Sequence, residues 1–122
     1  MLREILIEPS SCRKNDTAVE VASKLKGSMQ RHIYVVDESN YPVGIISTTD
    51  INNRIVAEGK DPRRLDACDI MSSPIEVYDI EHDPIEMYKD MMSNKRLTCA
   101  VIEGDKFKGI ITLNRLVTAI TG

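Results

Sequence analysis

At 122 residues, with 42% hydrophobic and 29% charged side chains, the chain has the make-up of one soluble globular domain. Its net charge of −3 and pI near 5.4 give no general electrostatic attraction to nucleic acid or anionic membrane, leaving only local basic spots such as Arg63-Arg64. No stretch approaches the roughly 18 apolar residues of a membrane span, and Met1-Leu2-Arg3-Glu4 lacks the apolar run of a signal peptide, so the chain is read as cytoplasmic.

Glu4 to Pro9 is expected as a short extended entry segment, followed by Asn15-Asp16-Thr17, a polar cluster suited to capping a helix. In that helix Ala18, Val21, Ala22, Leu25 and Met29 recur at three- and four-residue steps. His32 to Asp37 and Val43 to Ser47 are β-branched runs on either side of Glu38 to Pro42, which reads as a hairpin with Pro42 at the loop exit, where no ladder N–H is required. A second helix is expected from Asp50 to Glu58, with Ile51, Ile55 and Val56 on its inner face and Gly59 at its end. Asp61 to Asp66 breaks regular structure and serves as a linker. The plan then recurs: entry at Asp69 to Val77, a helix from Asp83 with Ile85, Tyr88 and Met92 along one face, strands Thr98 to Glu103 and Phe107 to Thr112 around a Gly104-Asp105 turn, and a closing helix carrying Leu113, Leu116, Val117 and Ile120. Each half reads β-α-β-β-α, an α+β fold.

The recurrence is visible in the residues themselves. Gly44-Ile45-Ile46-Ser47-Thr48-Thr49-Asp50-Ile51 returns as Gly109-Ile110-Ile111-Thr112-Leu113-Asn114-Arg115-Leu116, with the glycines 65 residues apart (109 − 44). Glu4 to Pro9 parallels Asp69 to Pro74 at the same offset, and Thr17 to Val21 parallels Asp83 to Met87 at 66. Each copy is roughly 55 residues, a length near which independent stability is marginal. With the Gly-apolar-apolar-Ser/Thr-x-x-Asp turn at 44 to 50, the Asp69-Ile70-Met71 opening before Pro74 and the linker Arg54 to Pro62, the chain resembles the CBS (cystathionine β-synthase) domain family, specifically the tandem pair called a Bateman module. The resemblance implies two units related by a pseudo-two-fold axis: a first unit at 1–60, a linker at 61–68 and a second unit at 69–122.

Chemistry is concentrated at the two turns. No Ser/His/Asp or Cys/His set lies in a nucleophile context and no phosphate-binding glycine loop is present, so an enzyme is not expected. Cys12, Cys68 and Cys99 are odd in number and far apart, and His32 and His82 have no partner at metal spacing; reduced structural thiols and no metal are expected. Ser47 and Asp50 leave two readings open: a capping box, or a site whose carboxylate accepts both hydroxyls of a ribose diol.

The family resemblance implies the second reading, a regulatory module that binds AMP, ADP, ATP or S-adenosylmethionine in the cleft between its units. Position by position, Asp50 would take the ribose and Ser47 the phosphate side, with Ile46 as an apolar wall, while Arg54 and Lys60 could reach a phosphate. Thr112 matches in the second copy; Arg115 replaces the acid with a donor and would favour an anion. Occupancy would be conveyed to a partner protein or to a second copy, and a homodimer is expected through an apolar surface of Ile51, Ile55, Leu116 and Ile120. The alternative is an assembly protein with empty clefts or another small ligand. With one Phe, no Trp and four Tyr, nucleic-acid binding is the remote third reading.

Overall fold

A computed structural model of the chain describes residues 1–28 and 30–122, so the expected helix contact of Met29 lies outside the described residues. In the first repeat, β1 (Ser11–Arg13), α1 (Ala18–Lys26), β2 (His32–Val36) and β3 (Pro42–Ser47) lead into α2 (Thr48–Ile51), which continues as a π-helical turn, Asn52–Val56. After a tight turn at Pro62–Arg64 and the short α3 (Ala67–Ile70), the second repeat supplies β4 (Val77–Asp79), α4 (Pro84–Ser93), β5 (Thr98–Glu103), β6 (Lys106–Thr112) and α5 (Leu113–Thr121). Two three-stranded sheets result, β1-β2-β3 and β4-β5-β6, each with a parallel first pair and an antiparallel hairpin. This is the α+β plan expected, and beyond the entry segments helices and strands follow in the expected order.

Local chemistry sets most of the boundaries. Thr17 and Glu20 form a reciprocal capping box at the start of α1, and Asp83 caps α4 with Pro84 in its first turn. Asn40 and Gly104 supply the positive φ of the two hairpin turns. The entry strands differ from expectation. Leu2–Ile5 is a 3-10 turn and the paired strand is Ser11–Arg13; in the second repeat the entry carries α3, and its strand starts only at Val77. A three-residue strand built of Ser, Cys and Arg, with only Cys12 buried, offers no alternation long enough to register in the sequence.

The chain forms two compact units, Pro9–Ile75 and the combination of Met1–Glu8 with Glu76–Gly122. The repeats thus exchange their entry segments. Ile7 pairs with Ile110 beside β6, and Ser72 pairs with Ile45 beside β3; both members of one pair stand 65 residues from those of the other. The repeated glycines sit at these pairings. A Cβ on Gly109 would lie 2.9 Å from the Ile7 carbonyl oxygen at a φ of +154°, whereas one on Gly44 would meet only the side chain of Met71. Gly109→Ala should therefore cost roughly 1–3 kcal/mol and more than Gly44→Ala, whose two nearest obstacles, Sδ and Cγ of Met71, belong to a flexible side chain, as urea midpoints would report.

Each unit has its own core. In the Pro9–Ile75 unit, Val21 and Leu25 of α1 pack with Ile33, Val35, Ile46 and Ile55, and α3 adds Ala67 and Ile70. The stretch expected to be a bare linker contributes here: Ala18 N–H donates to Leu65 O at 2.8 Å and Ala67 N–H to Asp16 O at 2.8 Å. In the other unit Leu2 joins Tyr78, Met87, Met91, Val101, Ile111 and Leu116.

Three apolar assignments need correction. The buried face of α4 is Met87 and Met91, while Ile85 and Met92 are half exposed and only Tyr88 of the expected stripe packs against the core. Both faces of α4 carry apolar side chains, so spacing alone was ambiguous. Val56 is 67% exposed, because the π turn places Ile55 inward and Val56 outward. The expected dimer surface is not a surface: Ile55 and Leu116 are buried in their own cores, and Ile51 and Ile120 pack against them.

Candidate functional site

Strand β3 ends at Ser47, which stands opposite His32 in the ladder and adopts the extended backbone of an N-cap. Its hydroxyl accepts from Asp50 N–H at 3.2 Å, while Asp50 Oδ2 accepts from Ser47 N–H at 2.8 Å and from Ser47 Oγ–H at 3.1 Å. The capping box is thus formed. Among the described residues Oδ1 accepts no hydrogen bond, and its nearest cation is Arg54 Nε at 3.8 Å. The Asp50 side chain keeps 17% of its surface exposed, so the carboxylate is not sealed from solvent, and Oδ1 retains its acceptor capacity.

Arg54 is held from the other side. Its guanidinium donates to Met71 O at 2.8 Å, more weakly to Ile70 O at 3.4 Å, and to Ser72 Oγ at 3.3 Å. With Glu58, Lys60, Leu65, Asp69 and Ile70 it borders a depression of about 390 Å³. Ile46 is fully buried in the core, and the half-buried Ile45 occupies the opposite face of β3.

The second turn has the same backbone and different chemistry. Thr112 Oγ1 accepts from Arg115 N–H at 3.3 Å and caps α5. Arg115 Nε donates to Ile5 O at 3.0 Å, and the two residues line a depression of about 420 Å³ with Asn114, Thr118 and Ala119. No carboxylate replaces Asp50 at this turn.

Beside the first turn, burial lowers the His32 pKa below its ordinary 6.5; Asp50 pulls it up and Arg31 pushes it down. The folded chain therefore binds this proton less readily than the unfolded chain. Stability from a neutral His32 is fully present above about pH 6.5 and is lost as pH falls through the lower folded value. His32→Gln should flatten the loss of melting temperature between pH 7 and 5 relative to the unmodified chain.

All three cysteines are free: burial raises the Cys12 thiol to about 11 and the Cys99 thiol to about 12, and Cys68 is exposed. The ligand atoms of Asp66, Cys68 and Asp69 lie within 4.8 Å of one another, a grouping that the spacing of cysteines and histidines does not reveal. All three are exposed, and the two carboxylates form the capping box of α3. Arg3 and Glu103 make a bidentate ion pair at the surface, which lowers the Glu103 carboxyl.

Two β-α-β-β-α repeats with a strand-to-helix turn in each make this a tandem module, and a tandem pair of the CBS domains matched here is typical of regulatory modules. The CBS domain family model matches residues 2–57 and 67–122, and the chain belongs to that family. An uncharacterized protein of Methanopyrus kandleri is 29% identical over 103 residues, 84% of this chain and 53% of the relative, so the chain spans about half the length of the curated relative it matches. Among solved structures, Hypoxic Response Protein I, described with two coordinated zinc ions, superposes with a TM-score of 0.83 at 19% identity over 96% of each chain. A hexameric CBS-CP12 protein from bloom-forming cyanobacteria gives 0.76 at 24% identity, covering 94% of this chain and 68% of that one. These likenesses are of fold. No helix among the described residues is long and apolar enough to cross a membrane.

Proposed function

We propose that the chain is a regulatory module that senses an adenosyl compound (AMP, ADP, ATP or S-adenosylmethionine) at the Ser47–Asp50 turn and signals to a partner protein in the cytoplasm. The observation that supports this most is the unfilled Asp50 Oδ1. The cap uses Oδ2, leaving one carboxylate oxygen with two acceptor sites for a cis-diol. Ile45 is better placed than Ile46 as the apolar wall, and Lys60 better than Arg54 for a phosphate, since Arg54 already donates to three oxygens. No catalytic role is assigned to any residue.

A thermal-shift screen across AMP, ADP, ATP, S-adenosylmethionine and a short RNA tests this reading. One adenosyl compound should raise the melt and RNA should not; if none does, the assembly reading takes precedence, and a shift with RNA alone would favour the third. We also expect a homodimer, with the exposed Val56 contributing to its apolar contact. Light scattering at micromolar concentration should give twice the 13.7 kDa chain mass, and a monomer would remove the expectation.

A further inference from the structure

Each unit contains one arginine that ties a strand-to-helix turn to a carbonyl of the exchanged entry segment, but the two arginines come from different helical positions. Arg54 donates to the carbonyls of Ile70 and Met71, and Arg115 donates to that of Ile5. Ile5 and Ile70 are equivalent at the 65-residue offset. Arg54 and Arg115 are not: the equivalent of Arg54 is Ala119, and that of Arg115 is Asp50. In the second copy the anchoring cation has therefore moved back four residues, one helical turn, into the position of the acid. The position it left is filled by Ala119, beside Ile5 and Arg115 in the depression of about 420 Å³.

We infer that Arg54 is a positioning residue for Asp50, and that site competence is set by the pair of positions (Asp50 with Arg54, against Arg115 with Ala119) rather than by the acid alone. This rests on the proposed ligand role of the first turn. In the first copy a single guanidinium holds the entry segment by its Nη groups while its Nε faces Asp50 Oδ1 at 3.8 Å, so the acid and the anchor coexist. In the second copy one arginine supplies the anchor from the acid's own position, and no carboxylate is left there for a diol. Introducing an acid there removes the anchor of Ile5 and gives the new carboxylate no cation. Adding arginine at 119 restores both.

The test uses the intact chain, AMP as calorimetric probe, and melting temperature as a readout that does not depend on ligand. Arg115→Asp should lower the melting temperature and leave AMP stoichiometry at one per chain. Arg115→Asp combined with Ala119→Arg should recover the melting temperature and raise the stoichiometry toward two. Arg54→Ala should weaken AMP binding about tenfold or more, with Arg54→Lys recovering part of it, because a lysine can face the acid and reach one carbonyl. A second AMP bound by Arg115→Asp alone, or a double variant no more stable than the single, would overturn the inference. If the unmodified chain binds no AMP, the titrations are repeated with whichever of ADP, ATP and S-adenosylmethionine raises its melt; if none binds, the ligand reading fails, and recovery of the melt by Ala119→Arg still decides whether the anchoring is shared between these positions.

Discussion

Met87→Ala should destabilise the chain by about 2–5 kcal/mol, while Ile85→Ala, two residues away on the same helix, should change stability by less than about 0.5 kcal/mol. Met87 is completely buried and fills the core of its unit with Met91, whereas half of Ile85 is in water. Removing Met87 leaves a cavity that close-packed neighbours only partly fill, whereas the space left by Ile85 is open to water on its exposed side and creates no sealed cavity. Urea denaturation of the two variants should give well-separated midpoints at similar slopes. A larger loss for Ile85→Ala would reinstate the stripe that simple periodicity suggested.

That contrast shows how the sequence carries its information. Val21 and Leu25 of α1 map onto Met87 and Met91 through the 66-residue offset, so the repeat held the buried face of α4 even though the apolar spacing of α4 alone did not. Beyond the entry segments the order of helices and strands, the caps at Thr17 and Ser47, and the hairpin turns are legible because each depends on a few adjacent residues. The exchange of entry segments was not. It depends on pairings between residues distant in the chain, Ile45 with Ser72 and Ile7 with Ile110, and leaves only an indirect trace in glycines whose Cβ would strike the incoming segment. Arg54 shows the same limit at the candidate site: its type suggested a phosphate contact, and only the fold brings the Met71 carbonyl within 2.8 Å of it.

At a hundredfold excess over its dissociation constant, an adenosyl ligand that binds only the folded chain should add about 2.7 kcal/mol of stability. In a chain of this size that is a shift of several degrees. Asp50→Ala should abolish the shift while costing the unliganded chain no more than about 2 kcal/mol, the upper range for a lost cap interaction. The two effects separate because they use different oxygens: Oδ2 serves the Ser47 cap, and Oδ1 is the acceptor left for the ribose. Asp50→Asn, whose amide oxygen can take the Oδ2 place in the Ser47 cap, should retain more of the unliganded stability than Asp50→Ala and still lose most of the ligand effect, since an NH2 donor then stands where Oδ1 accepted.

Calorimetric titration of the intact chain with AMP, ATP and S-adenosylmethionine, repeated on Asp50→Ala, is the most direct measurement of whether this turn is a ligand site. The account predicts about one bound adenosyl compound per chain, held at the Asp50 turn, with the heat lost in the variant and no comparable binding at the Arg115 turn. Absence of heat with all three compounds, or two equal sites that both survive Asp50→Ala, would contradict it.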